Sequence, residues 1–549
     1  MSCWFTALVA IAIVTTPGLA WAVQGEATLS QLSKVRLDKT QIYSVRDITI
    51  NRDVLSISLN RGVIAFTEAI EGKVTGAVFI GSGDILAIPP DAIEKKQLFR
   101  YTKSALLSEH FEAAVFRFTD GTWEEIQKEL KGHAPETVDA ADIDALLRWE
   151  SEVQRRAVFL NGRILADLLG SKTHPFFLAQ IEGAELGWFD AIYDERNVEE
   201  VLIQQSTTAS ATPFVWTSFN KRSDARDPAA AARDDKSLFE NFSLSTDGTI
   251  AQLKLRADGE RVLSLPVASA AVTSVVFEGV AIPFVAERDR LYVILPTPTR
   301  SRDEITLRIE YSTQPRPEVL ASAAVRANTI SPLTYRDQWI VEGLGNYASV
   351  LTDPAVLNHA RESLLAPSPE GGSYESLGPV WIGIRMTQPR TTPGYQAALK
   401  NKSLWILHML RGIIQGNNGE SAFGRFLDEV LLQAQGSRLS TFDFKRLAEK
   451  HVGKPLDWFF DSWVFGTGIP SYTVTFKVDS AGDGFVISGN ITQADVPDTF
   501  ESLVPLYADD TFLGNVTVSG DGGEFRFTSR TRPQQVLVDP KGTILKRIS

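Results

Sequence analysis

The chain has 549 residues, enough for several domains, and its 44% apolar and 22% charged residues are typical of a globular protein rather than a disordered one. Its formal net charge is −12. An acidic chain without a basic run has little attraction for a phosphate backbone, so we expect no nucleic acid among its partners.

The first 22 residues are typical of a secretory signal. An apolar run that ends near Thr15 is followed by Ala20-Trp21-Ala22, an A-x-A cleavage site before Val23. No Lys or Arg precedes the run, which is atypical of such signals. A membrane anchor is the alternative, but the run is too short to span a bilayer and Pro17-Gly18 interrupts it. We therefore predict an exported protein, periplasmic or secreted, that is not an integral membrane protein after cleavage.

The single cysteine, Cys3, lies within the predicted signal. A cleaved chain would therefore contain no thiol. Disulfides, cysteine nucleophiles and thiolate metal sites are excluded from such a mature protein, although export would have permitted disulfides.

The region 23–215 is predicted to be one α+β unit. It opens with short β runs and turn signals between Gln41 and about Phe118, where Gly81-Ser82-Gly83 is expected to form a hairpin turn. Apolar residues then recur at helical spacing before strand character returns. The predicted elements after Phe118 are helices at 123–130 and 143–169 and strands at 176–181 and 201–204.

Three further regions follow a predicted linker or exposed loop at 222–236. Alternating apolar and polar residues at 240–312 predict an antiparallel sheet. The period becomes helical at 315–468, and residues 470–549 again show short strands broken by Gly and Asp turns, the size of a small β-sandwich. The predicted fold class is α+β multidomain, with antiparallel β domains flanking a mainly helical domain.

Common catalytic signatures are absent from the sequence. It contains no G-x-S-x-G elbow, no G-x-x-x-x-G-K-[ST] loop and no dinucleotide-binding fingerprint. A zinc helix needs two imidazoles one turn apart with a carboxylate between them. The chain cannot build one, because no two of its six histidines lie within five residues of each other: His110, His133, His174, His359, His408 and His451.

Three segments in the second half of the chain form ordered motifs. They read TYRDQWIVEGLGNY at 334–347, KNKSLWILHML at 400–410 and FFDSWVFGTGIPSY at 459–472. Together they resemble the M1 aminopeptidase family, gluzincins with a thermolysin-like catalytic domain. The corresponding motifs of the family are S-Y-R-D-Q-W-L-x-E-G-F-A-x-Y, Y-x-K-G-A-x-V-L-H-M-L and F-F-x-x-W-V-x-G-x-G-x-P-x-Y.

The resemblance covers the chain from about residue 240 to the C-terminus. It implies that 240–312 is part of the family's N-terminal β domain, that 315–468 is a reduced gluzincin-like helical domain and that 470–549 is the C-terminal β-sandwich. It places Glu342 at the position of the third zinc ligand. The region 23–215 lies outside the usual family architecture and is assigned no chemistry.

The departures from the family pattern bear on the function. Counting back from Glu342 by the family's spacing places H-E-x-x-H on five residues without a ligand histidine or a general base: Val319, Leu320, Ala321, Ser322 and Ala323. The family's oxyanion-stabilising tyrosine falls on Lys400, and no room remains for the G-x-M-E-N segment between Tyr311 and Glu318. One carboxylate cannot hold zinc, because affinity needs three convergent ligands.

Each singled-out residue also has a structural interpretation. Glu342 is expected to be a hydrogen-bonding helix residue, a vestige of a zinc ligand, and it could pair with Lys400 if both side chains face the former cleft. His408 is expected to be a packed imidazole on an apolar helix face. Core packing is expected of four tryptophans: Trp339, Trp405, Trp458 and Trp463.

Two functions from different classes follow. The first is an exported, catalytically inactive M1-peptidase-like protein that binds a peptide or protein through the former cleft, with no cofactor. The second is a zinc-dependent metallo-aminopeptidase that rebuilds a site from Glu342 with His359, His408 or His451. Ligands supplied in trans by a homodimer, and an internal deletion or faulty gene model, are further alternatives.

Overall fold

The structure is a computed structural model. It divides the chain into two compact units, a first unit of residues 1–226 and 236–328 and a second unit of residues 227–235 and 329–549. The described residues are 17–132, 138–157, 160–206, 214–221, 238–245, 247–265, 267, 271–287, 290–313, 332–369, 371–386, 396–434, 438–520 and 522–548.

The described first unit contains six helices and sixteen strands. The helices are α1 (Pro17–Ser33), α2 (Ala92–Thr102), α3 (Thr122–Gly132), α4 (Ala140–Arg148), α5 (Glu150–Ala157) and α6 (Asn161–Leu169). The strands are β1 (Leu37–Arg52), β2 (Leu55–Thr67), β3 (Gly76–Ala87), β4 (Leu107–Phe118), β5 (Phe176–Gly183), β6 (Gly187–Asp194), β7 (Val201–Gln205), β8 (Val215–Phe219), β9 (Phe239–Leu244), β10 (Ile250–Leu255), β11 (Val262–Leu265), β12 (Val272–Phe277), β13 (Val280–Ala281), β14 (Phe284–Glu287), β15 (Arg290–Ile294) and β16 (Glu304–Tyr311).

An antiparallel meander of eight strands, β1 to β8 in sequence order, organises the first unit. Successive side chains of a strand point to opposite faces, so the buried residues of these strands supply two cores. One core is rich in aromatic residues, among them Phe66, Phe79, Phe116 and Trp216. The second core lies on the other face of the sheet. There, strand residues such as Val115 pack against α1, α4 and α6. Both faces of the meander are therefore covered.

The segment Gly81-Ser82-Gly83 is not the hairpin turn that the sequence predicted. It lies inside β3, where the pairing register with β2 and β4 shifts. Gly81 has φ of +144°, and a Cβ atom there would lie 2.3 Å from the Arg61 carbonyl oxygen and 2.5 Å from Gly62 Cα. The glycines therefore permit a β-bulge and a close approach of two backbones, a second common use of glycine in strands.

Two smaller antiparallel sheets complete the first unit. One has the strand order β13-β12-β16-β10-β9 and the other β11-β15-β14. Alternate residues of both sheets enter one core, including Leu253, Leu263, Val293 and Leu307. The alternation that predicted an antiparallel sheet at 240–312 is confirmed for the strands themselves. The helix predicted at 123–130 and the strands predicted at 176–181 and 201–204 correspond to α3, β5 and β7, whereas the helical segment predicted at 143–169 is divided among α4, α5 and α6.

The described second unit begins with helices and ends with strands. The helices are α7 (Gln338–Thr352), α8 (Ala355–Leu365), α9 (Lys402–Asn418), α10 (Ala422–Ala434), α11 (Thr441–Val452) and α12 (Asp457–Trp463), with a π-helical turn at Gln396–Asn401 and 3₁₀ turns at Tyr335–Asp337, Glu375–Leu377 and Val380–Met386. The strands are β17 (Ser471–Ala481), β18 (Gly484–Ala494), β19 (Glu501–Ala508), β20 (Thr511–Ser519), β21 (Gly523–Ser529) and β22 (Val536–Val538).

The core of the second unit is built on tryptophans. Trp339, Trp405 and Trp463 are at most 2% exposed, and Trp458 is partly buried against the same core. The packing role predicted for these four residues is confirmed. The two C-terminal sheets, ordered β17-β18-β21 and β20-β19-β22, contribute alternate apolar residues to this core.

The chain is therefore an α+β protein with several antiparallel sheets, as its sequence predicts. The predicted domain boundaries, the gluzincin-like character of the helices and the sandwich character of the last strands stay predictions. Helix α1 runs across the predicted cleavage point between Ala22 and Val23, and the predicted linker at 222–236 lies outside the described residues. No described helix is both long enough and apolar enough to cross a membrane.

Candidate functional site

The helix that carries Glu342 is anchored at its start by Asp337. Oδ1 of this carboxylate accepts hydrogen bonds from the backbone nitrogen and hydroxyl of Thr441, at 2.6 and 2.8 Å. Oδ2 accepts hydrogen bonds from the backbone nitrogen and the hydroxyl of Thr334, at 2.9 and 3.0 Å. Since Thr441 is the first residue of α11, the carboxylate ties the beginnings of α7 and α11 together.

The Asp337 carboxyl should make the stability of the second unit depend on pH. Burial raises its pKa above the ordinary value of 3.8 and outweighs the hydrogen bonds from Thr441 and Thr334, which lower it. The folded state then binds the proton more tightly than the unfolded state, so the contribution of this group is full below the ordinary pKa and is lost as pH rises through the raised one.

We expect the difference in free energy of unfolding between the wild type and Asp337→Asn to fall as pH rises through this window and to level off above it. Urea unfolding at a series of pH values measures it, with Asp428→Asn, at an exposed position on α10, as the matched control. A difference that grows with pH would mean that the four hydrogen bonds outweigh burial.

Glu342 itself is partly buried on α7, next to a point where α7 packs against α9. At Gly343 a Cβ atom would lie 3.0 Å from Leu407 Cδ1 and 3.2 Å from Ser403 Cβ, both on α9. The missing side chain of Gly343 therefore lets the two helices pack together. The backbone carbonyl of Glu342 accepts a hydrogen bond of 2.7 Å from the Asn346 amide.

Lys400 lies in the π-helical turn at 396–401 that leads into α9, and α7 packs against this turn. Such turns are rare and occur often at functional sites. In the described part of the chain, neither the Glu342 carboxylate nor the Lys400 ammonium has a hydrogen-bond or ion-pair partner. The Glu342–Lys400 pair predicted from the sequence is therefore not formed, although the elements that carry the two residues are in contact.

A buried ion pair forms instead at Lys402, two residues further along. Its Nζ atom lies 2.7 Å from Glu375 Oε1 and 3.0 Å from the Gly466 carbonyl oxygen. Glu375 Oε1 also accepts a hydrogen bond of 2.7 Å from the Gly468 nitrogen. The pair thus attaches the start of α9 to the G-T-G segment after α12. The sequence carried a signal, because the second family motif has a lysine here, but the acidic partner could not be named.

His408 is a packed imidazole, as the sequence suggested. Its Nδ1 atom lies 3.4 Å from Tyr347 Oη, and its ring meets the Trp405 ring edge to face. Burial, together with the charge of Arg411, lowers the pKa of His408. The ring is therefore neutral at neutral pH.

The three histidines of the alternative zinc site lie on three different helices. His359 is exposed on α8, His408 is on α9, and His451 on α11 has its Nε2 atom 2.9 Å from Glu429 Oε2. Among the described residues no group of three His, Cys, Asp or Glu side chains could hold a metal ion. The five residues on which H-E-x-x-H would fall, 319–323, lie outside the described residues.

A shallow open pocket of about 370 Å³ lies elsewhere, in the first unit. It is lined by residues at facing ends of β10 and β16, including Thr249, Arg308 and Tyr311. None of the residues singled out from the sequence lines it. Its open shape distinguishes it from the enclosed pockets that bind most small ligands.

Comparison with known proteins adds little to this geometry. No family model matches the sequence, and no curated protein matches it. Among solved structures, the chain is similar to aminopeptidase A of Legionella pneumophila in complex with aspartic acid, with a TM-score of 0.30 and 11% identity over 55% of this chain. The match spans 57% of that structure's chain. Similarity at this level carries no argument about fold or activity.

Proposed function

We propose that this chain is an exported, catalytically inactive protein related to the M1 peptidases, and that it binds a peptide at the surface where α7 meets the π-helical turn. The observation that carries the proposal is that the charged side chains of Glu342 and Lys400 have no ion-pair partner among the described residues. Both side chains are partly exposed on elements that pack together, and neither is neutralised by a described neighbour.

A carboxylate and an ammonium arranged in this way suit the two kinds of polar group in a peptide backbone. The carboxylate of Glu342 can accept hydrogen bonds from a protonated amino terminus, and the ammonium of Lys400 can donate to a carbonyl oxygen. The three ordered motifs support the relation to the M1 peptidases, and the sequence departures at 319–323 and at Lys400 support the absence of catalysis.

The surrounding structure supports a fixed binding surface. Asp337 holds the start of α7, and the Lys402–Glu375 pair holds the start of α9. Residues on or next to helices whose ends are held by such contacts keep their positions better than residues on loops. The elements that carry Glu342 and Lys400 are therefore already held in place before a ligand binds.

The proposal is tested by the binding of fluorescent peptides with free or acetylated amino termini. We expect Glu342→Gln to weaken the binding of free peptides about tenfold, or ~1.4 kcal/mol, and to leave acetylated peptides unchanged. Lys400→Met should weaken both classes, because it removes a donor to the backbone carbonyl. The matched controls are Glu362→Gln on α8 and Lys454→Met, both exposed positions of the second unit.

One outcome of this assay and two further measurements complete the test. Equal affinity of the wild type and Glu342→Gln for free peptides would contradict the assigned surface. One zinc per purified chain with chelator-sensitive hydrolysis of aminoacyl substrates would overturn the inactive assignment and favour the zinc-dependent metallo-aminopeptidase. Export predicts Val23 as the amino terminus of the protein recovered outside the cytoplasm.

A further inference from the structure

A buried arginine of the first unit has unused hydrogen-bond donors. Arg117 on β4 is 1% exposed, and its Nε atom donates to the Thr75 carbonyl oxygen at 3.1 Å. Its Nη1 and Nη2 atoms are buried and have no partner among the described residues. Burial alone lowers the pKa of Arg117 to about 10, so the guanidinium is still charged at neutral pH.

Two buried hydroxyls share this environment. Thr67 and Thr75 are at most 1% exposed, and in the described structure their Oγ1 atoms also lack partners. Gly76 lies directly opposite Arg117 in the strand pairing, and a Cβ atom at Gly76 would lie 3.0 Å from Arg117 Cδ and 3.2 Å from Thr67 Cγ2. The arginine stem therefore crosses Gly76 beside Thr67, while its Nε reaches the backbone of Thr75.

These groups together have an unsatisfied charge and unsatisfied donors. A buried guanidinium is strongly destabilising unless a negative charge compensates it, and each buried polar atom without a hydrogen bond adds to that penalty. Water could satisfy the hydrogen bonds but not the charge. Among the described residues no acidic side chain contributes to the pKa of Arg117, so none of them supplies the compensating charge.

We propose that the Arg117 guanidinium and the hydroxyls of Thr67 and Thr75 bind a small monovalent inorganic anion of the halide class inside the first unit. All of these groups donate to an anion, because a guanidinium has donors only and a hydroxyl can turn its hydrogen inward. A halide needs no donor from its own side and no fixed orientation, which suits buried groups that can all donate. The site is independent of the peptide-binding surface of the second unit.

The direct test is crystallographic. Crystals of the full mature chain grown or soaked in sodium bromide should show one anomalous scattering peak within hydrogen-bonding distance of Arg117 Nη and of the two hydroxyls. Crystals of Arg117→Met treated in the same way should lack this peak. An ordered water or no density beside Arg117 in bromide would overturn the proposal.

A solution test uses thermal unfolding of the full chain in sodium chloride and in sodium gluconate at equal ionic strength. Gluconate is a much larger anion than chloride, and the Arg117 nitrogens are fully buried, so chloride should raise the Tm of the wild type by a few degrees relative to gluconate. Arg117→Met should abolish the difference, and the exposed Arg61→Met on β2 should retain it. If Arg117→Met does not fold, Thr67→Val should reduce the chloride response. An equal response in the wild type and the tested site variant would overturn the proposal.

Discussion

Replacing Arg163 with methionine should lower the free energy of unfolding of the first unit by about 3–5 kcal/mol. Arg163 lies on α6, 8% exposed, and its Nε and Nη2 atoms donate to Asp194 at 2.8–3.0 Å. Its Nη1 atom donates to Asp167 at 2.7 Å. Methionine keeps much of the stem but leaves two buried carboxylates without this cation.

The same network extends to the ends of neighbouring strands. Asp167 accepts hydrogen bonds from the Thr119 hydroxyl at 2.5 Å and from the His174 nitrogen at 3.2 Å, and Arg196 bridges it to Glu260. Burial by itself would lower the pKa of Arg163, but the charges of Asp194 and Asp167 raise it above its ordinary value. The arginine is therefore charged at neutral pH.

Urea unfolding measures the effect, and Arg155→Met is the matched control. Arg155 lies on α5, is 54% exposed and pairs with Glu152, so its removal should change stability by at most about 1 kcal/mol. Adding Asp194→Asn to Arg163→Met should give less than the sum of the two single effects, because each variant breaks the same pair. A loss below about 1 kcal/mol in Arg163→Met would show that the carboxylates find other partners.

Lys402→Met should have a comparable effect in the second unit, a loss of about 3–5 kcal/mol, because it leaves Glu375 buried without a counter-charge. The two side chains are 1% and 4% exposed. We expect Lys402→Met to weaken peptide binding at the proposed surface as well. Lys402 donates to the Gly466 carbonyl oxygen and is the first residue of α9, two residues after Lys400.

The comparison variants separate charge from packing. Glu375→Gln combined with Lys402→Met should recover part of the lost stability, because the uncompensated carboxylate is then absent. Lys477→Met is the exposed control, since its pair with Asp479 is 3.6 Å long and both side chains are more than 60% exposed. Equal losses for Lys402→Met and Lys477→Met in urea unfolding would contradict the assigned importance of the buried pair.

Local pattern in the sequence predicted much of the fold. The helical spacing at 123–130 corresponds to α3, the helical period within 315–468 to α11 among others, and the alternation within 240–312 to β10 and β16 among others. The spacing of the tryptophans predicted their burial. These features depend on residues within one helix or strand, where the 3.6- and 2-residue periods decide which side chains share a face.

Within the candidate site, the sequence determined which residues are present and which are not: Glu342, Lys400, the packed His408 and the absence of H-E-x-x-H. The tertiary structure decided the partners. It joined Lys402 rather than Lys400 to a carboxylate, placed Gly81 in a bulged strand and buried Arg117 beside Thr67. Partners that are distant in sequence meet only when whole elements pack, and the pattern within any single element carries no information about which of several charges will face which neighbour.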